Sequence, residues 1–169
     1  MIHLNIGSNL DSPHGSRYDN ISIAINLLID SKIKVKKISN FYETPSYPNN
    51  NFPKFLNVGL SVDYKYKYLN LFKIIKKIEK RLGRIKSKKN DPRVLDIDLI
   101  DFKGEIRDTK EIILPHPRCH LRNFVLFPIL QIDPNWSHPI LKKNARFLIN
   151  KLSQKLRIEI TRLQKNVNI

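Results

Sequence analysis

The order in which side-chain periodicities follow one another constrains this chain more than any single motif does. Ile2 to Ile6 alternate apolar and polar residues, the pattern of a half-buried strand, and Gly7-Ser-Asn-Leu10 ends it. Ile21, Ala24, Ile25 and Leu28 recur at helical spacing, with Ser16 or Asp19 as the start signal. Ile33 and Val35 open a second strand expected to continue to Tyr42, and strict alternation at Leu56, Val58, Leu60 and Val62 marks a third. Leu71, Ile74, Ile75, Ile78 and Leu82 line one side of a second helix, which Gly83 stops. A fourth strand carries Leu95, Ile97 and Leu99.

Strand, helix, strand, strand, helix, strand is the order of a ferredoxin-like βαββαβ core, an α+β arrangement built on an antiparallel sheet. Two further apolar segments, Leu121 to Leu130 and Asn144 to Leu152, read as helices, so helices are expected on both faces of that sheet. Beyond Leu152, the alternation of Ile158 and Ile160 fits strand or helix. Residues 1–169 suit one domain, long enough to bury about two thirds of its unfolded surface.

The lone Cys119 excludes an internal disulfide, and no run of Cys and His has zinc-ligand spacing. Met1-Ile-His-Leu-Asn-Ile6 lacks the basic start and apolar core of a signal peptide, and no apolar stretch has spanning length. A cytoplasmic protein without a membrane partner is expected. The net charge of +16 is spread through clusters such as Lys34-Val-Lys-Lys37, Lys73-Ile-Ile-Lys-Lys77 and Lys86-Ser-Lys-Lys89. Such clusters read as solvated faces, so the charge steers polyphosphate substrates without selecting nucleic acid.

Chemistry concentrates in Asp91-Pro-Arg-Val-Leu-Asp-Ile-Asp-Leu-Ile100. On a strand Asp96 and Asp98 project from one face, about 6 to 7 Å apart, while Leu95, Ile97 and Leu99 pack on the other. Two carboxylates this close repel unless cations compensate them, and oxygen donors suit magnesium, which completes its shell with water and phosphate oxygens. Arg84, Arg93, His116 and Arg122 flank the pair in sequence, so groups that hold metal and groups that hold phosphate occur together. The Pro- and Asn-rich segment Thr44 to Pro53 is longer than a hairpin needs, as functional loops often are.

These residues resemble the 6-hydroxymethyl-7,8-dihydropterin pyrophosphokinases. The likeness runs in order through Gly7-Ser-Asn-Leu10, Phe41-Tyr-Glu-Thr-Pro45, Phe55-Leu-Asn57, Glu79, Gly83-Arg84, Pro92-Arg-Val-Leu-Asp-Ile-Asp98, Leu114-Pro-His116 and Arg122-Asn-Phe124. It implies ATP and the pterin alcohol as substrates of a monomer, and Asp96 and Asp98 as ligands of two Mg2+ ions. It also implies Arg84 and Arg93 as the catalytic arginines at the two ends of an active-site loop, with Glu79, His116 and Arg122 on the ATP side. Thr44, Pro45, Phe55, Asn57 and Phe124 would form the pterin side, with aromatic rings against the heterocycle and an amide reading its edge. The chain departs from the family's usual pattern at Asn90-Asp-Pro-Arg93, which stands for Trp-Gly-Pro-Arg, at Pro117, which stands for Tyr, and at Ser46-Tyr-Pro48. The rival from another class is a basic RNA-binding module on the same fold, which would carry exposed aromatics on its central strands in place of aspartates.

Overall fold

The computed structural model describes residues 1–46, 51–83, 91–165 and 167. Strand β1 (Ile2–Ser8) runs two residues into the expected break and is buried along its whole length. Expectation and structure differ because both of its faces are covered, one of them over polar residues. Helix α1 (Arg17–Asp30) uses both candidate start residues: the Ser16 side chain accepts from the Asp19 N–H while Asp19 Oδ2 accepts from the Ser16 N–H at 2.8 Å. Such reciprocal capping contributes about 1 kcal/mol.

The expected second strand divides into β2 (Lys34–Ile38) and β3 (Tyr42–Thr44). Between them Ser39 pairs with Gly59, and the Asn40 N–H turns to Gln131 Oε1 at 3.1 Å instead of entering the ladder. Next come β4 (Phe55–Asp63), α2 (Tyr68–Arg81) and β5 (Asp96–Phe102). A hairpin of two-residue strands follows, β6 (Arg107–Asp108) and β7 (Ile113–Leu114), and then a 3-10 turn at Cys119–Leu121. Helices α3 (Asn123–Ile132), α4 (Ala145–Lys151) and α5 (Gln154–Ile158) precede β8 (Thr161–Arg162). Ile158 thus closes a helix and Ile160 leads into a strand.

The sheet runs β5-β1-β4-β3-β8, with β2 also on β4, and every pairing is antiparallel. That is the ferredoxin-like order, extended by β8. Ile2, Leu4, Ile6, Leu56, Val58, Leu60, Val62, Ile97 and Leu99 fill the face under α1 and α2. On the other face α3 and α4 pack through Val125, Leu126, Ile129 and Leu148, joined by Ile100 and Trp136. Helix α3 lies directly on β4: a Cβ at Gly59 would stand 2.6 Å from Pro128 Cβ, so only glycine admits the helix this closely. Among the described residues no helix is long and apolar enough to cross a membrane.

Candidate active site

Strand register assembles the site. Asp96 pairs with Gly7, Gly7 with Asn57, and Asn57 with Tyr42, forming one row across four strands. The next row on the same face joins Asp98, Asn5 and Gly59. Gly7 leaves a gap between the carboxylate of Asp96 and the amide of Asn57. A Cβ there would come 3.1 Å from Asn57 Oδ1 and 3.6 Å from the Phe55 ring. Asn57 Nδ2 donates to Thr44 Oγ1 at 3.3 Å, and both residues are buried. Phe55 and Pro45, both partly buried, border this pair.

Asp96 and Asp98 are each 24% exposed and each meets an arginine. Arg93 Nη1 donates to Asp96 Oδ2 at 3.0 Å and Arg122 Nη1 to Asp98 Oδ2 at 3.0 Å. The Arg122 guanidinium also lies 5.3 Å from the centre of the Phe124 ring, which places Phe124 beside the Asp98 half of the site. Arg84, Lys86, Lys88, Lys89 and Asn90 lie outside the described residues.

His116 is anchored by its own N–H, which donates to the Ile100 carbonyl at 2.8 Å. Its Nδ1 accepts from the Arg118 N–H at 3.2 Å, and its Nε2 lies 3.4 Å from Arg122 Nη1 and 3.8 Å from Asp98 Oδ2. Burial, reinforced by Arg122 and Arg118, lowers its pKa to about 4. The ring is therefore neutral near pH 7 and can face an anionic oxygen without adding charge.

Glu79 departs from the default of a solvated helix glutamate, being 1% exposed. Its Oε1 accepts from the Ile97 N–H and its Oε2 from Lys76 Nζ, both at 2.8 Å. Ile97 lies between the two aspartates on the edge strand, so Glu79 holds the backbone that sets their spacing. Beside Asp98 and His116 a cavity of about 310 Å³ opens, lined also by Phe72, Lys76, Leu99, Thr109, Lys110 and Ile112. Its size is at the lower end for a ligand pocket. Sequence reasoning missed this wall, since two-residue strands show no periodicity and the β6–β7 hairpin left only the polar turn Asp108 to Glu111 as a hint.

The fold also collects Cys119, His120 and His138, whose ligand atoms lie within 4.8 Å of one another although the sequence shows no metal spacing. Burial pushes the Cys119 thiol up to about 12, and His138 Nδ1 already accepts from the Ile140 and Leu141 N–H groups, each at 3.2 Å. The trio therefore packs as part of the core beside Trp136, with the two imidazoles edge to face at 5.4 Å.

An acidic pair on one strand, ringed by arginines and a neutral histidine beside a cavity, can hold a cation and phosphate oxygens together. This is the equipment of a phosphate-transferring enzyme. Comparison with known proteins agrees. Residues 3–134 match the family described as 7,8-dihydro-6-hydroxymethylpterin-pyrophosphokinase. The chain is 37% identical over 142 residues to a 2-amino-4-hydroxy-6-hydroxymethyldihydropteridine pyrophosphokinase of Aquifex aeolicus, covering 84% of this chain and 86% of that one. With a Bacillus subtilis protein of the same name it shares 31% over 131 residues, 77% of this chain and 76% of the other. A folic acid synthesis protein of Dictyostelium discoideum is 35% identical, but the match covers 83% of this chain and 21% of that longer one. The crystal structure of wild-type Plasmodium falciparum HPPK-DHPS has the same fold, with a TM-score of 0.69 at 15% identity over 95% of this chain and 47% of that one. The chain belongs to the 7,8-dihydro-6-hydroxymethylpterin-pyrophosphokinase family.

Proposed function

We propose that this member of the family performs the pyrophosphokinase reaction of folate synthesis at the site just described: it moves a diphosphate from ATP to the hydroxymethyl oxygen of 6-hydroxymethyl-7,8-dihydropterin and releases AMP. The observation that carries the residue assignment is the Asp96–Asp98 pair, each carboxylate held by an arginine, beside the Lys76–His116 cavity. Oxygen-only donors on a partly exposed strand fit magnesium, and two ions held by Asp96 and Asp98 would neutralise the phosphate chain and polarise it for displacement.

The chain's own groups do the positioning. The nucleotide lies along the cavity, where Lys76 and Lys110 face its charge and Phe72, Leu99 and Ile112 give its base an apolar wall. Arg93 and Arg122, now on carboxylates, turn their planar forks to phosphate oxygens as the nucleotide enters. The family resemblance adds Arg84, outside the described residues, as a further phosphate-binding arginine. Neutral His116, beside Arg122, faces another phosphate oxygen without adding charge. On the far side of Asp96, Asn57 and Thr44 read the edge of the pterin, Pro45 shapes the wall and Phe55 packs on one ring face, while Phe124 closes on the other from the Asp98 half of the site. Gly7 gives the ring its room. The hydroxymethyl oxygen attacks the β-phosphorus in line, and the rate comes from alignment and charge stabilisation without a covalent intermediate. Glu79 acts from beneath by fixing β5. The enzyme works as one unit, a monomer in the cytoplasm.

Product analysis tests the reading. With ATP, Mg2+ and the pterin alcohol, phosphorus NMR should show AMP and a pterin diphosphate in equal amounts. Adenylated pterin with free pyrophosphate would replace the proposal by nucleotidyl transfer. No observation favours the RNA-binding alternative, since the central sheet face carries aspartates and amides under a helix.

A further inference from the structure

Asn9 follows β1 and touches no side chain assigned to substrate, yet it is 2% exposed and hydrogen-bonds in two directions. Towards β5 its N–H donates to the Arg93 carbonyl at 3.2 Å, and its Oδ1 accepts from the Arg93 N–H at 2.7 Å. Towards the pterin side its Nδ2 donates to the Pro53 carbonyl at 3.1 Å and to Ser46 Oγ at 3.3 Å. The Ser46 hydroxyl donates in turn to the same Pro53 carbonyl. Ser46 follows Thr44 and Pro45, and Pro53 precedes Phe55, so this contact joins two points of the chain that flank the pterin-side residues. One amide thus fixes the backbone of an arginine and this contact at once.

We propose that Asn9 is a positioning residue that sets the register between Arg93 and the contact of Ser46 with Pro53 beside the pterin-side residues, so that phosphate and pterin are presented to each other in line. Only a primary amide meets the requirement, because one acceptor must face the Arg93 N–H while a donor faces a carbonyl. An aspartate keeps the acceptor and loses the donor, leaving a carboxylate oxygen against the Pro53 carbonyl. An alanine loses both. The inference rests on the assignments of Arg93 and the pterin side made above.

The two losses can be separated kinetically. In Asn9→Asp the pterin KM should rise about tenfold with kcat within about threefold of wild type, and in Asn9→Ala kcat should fall about tenfold as well. A merely structural asparagine would lower Tm and both kinetic parameters together, with no such split. Asp96→Asn is the control on the site reading: if that variant turns over normally, the reading itself fails. If it is inactive while folded Asn9→Asp keeps the wild-type pterin KM, the site stands and the inference on Asn9 is overturned. Should Asn9→Asp not fold, Ser46→Ala decides with Asn9 left in place. A pterin KM raised about threefold supports the inference, and an unchanged one overturns it.

Discussion

The two faces of the sheet are built from alternate residues of the same strands, both lie under helices, and they have opposite chemistry. Under α1 and α2, β1 contributes Ile2, Leu4 and Ile6 and β4 contributes Leu56, Val58, Leu60 and Val62, all buried. Under α3, the same strands contribute His3, Asn5, Gly7, Asn57, Gly59 and Ser61, and β5 adds Asp96, Asp98 and Asp101. On that second face His3 Nδ1, Asn5 Oδ1 and Ser61 Oγ are buried without a hydrogen-bonding partner among the described residues. Burying a polar group unpaired costs on the order of 1–3 kcal/mol, so these positions offset part of the stability that apolar packing on both faces supplies. The fold separates the two tasks by strand alternation, with the apolar side secure enough for its reverse to carry carboxylates.

If the tasks are separate, substitutions on the two faces should have separable effects. The largest is expected on the polar face: Asp98→Asn should lower kcat about a thousandfold, roughly 4 kcal/mol of transition-state stabilisation, with Tm nearly unchanged. Near-normal turnover in the folded variant would remove Asp98 from the metal assignment. Leu60, fully buried under α1 and α2, gives the counterpart. Leu60→Ala should cost about 3 kcal/mol of unfolding free energy in urea titrations, while kcat per folded molecule stays within about twofold. A large kcat loss in that variant would show that the apolar face tunes the site as well as supporting it.

What the sequence revealed follows the same division. Alternation along β1, β4 and β5 was legible because the apolar half repeats without interruption, and it placed Asp96 and Asp98 on one face. The polar half could be read only as a departure from that pattern. Nothing local signals that Glu79 reaches the Ile97 N–H, that Asn9 meets Arg93, or that His138 stacks on His120, since the partners in each case are brought together by packing. The division of β2 from β3 was hidden for the same reason, because its cause is Gln131, 91 residues from Asn40. Periodicity reports one element at a time, and half of this site is made between elements.

The smallest effect, and the finest test of the comparison, is its dependence on pH. The core residues of β1, β4 and β5 under α1 and α2 are apolar, with Glu43 of β3 paired to Arg17 of α1 at their rim, whereas His3, His116 and His138 lie on the α3 side, and burial is the largest cause lowering the pKa of each. For His138 the neighbouring His120 lowers it further and Asp101 opposes. A histidine whose folded value lies below its unfolded value of 6.5 binds protons more readily once released. Stability is then complete above about pH 6.5 and declines as the pH falls through the folded value. The local reason is geometric: a protonated Nδ1 cannot accept from the Ile140 and Leu141 N–H groups, and the turn they close leads to Asn144, the N-cap of α4. Acid should therefore loosen the polar face first. Hydrogen exchange should show protection factors for Ile140, Leu141 and the first turn of α4 falling as the pH drops below about 6.5, while those of β4 and α2 hold. His138→Asn, which keeps a carbonyl oxygen near Nδ1 that cannot take a proton, should flatten the decline at the turn. An acid response shared equally by the two faces would mean that they are coupled, and that the separation seen in their chemistry does not extend to their energetics.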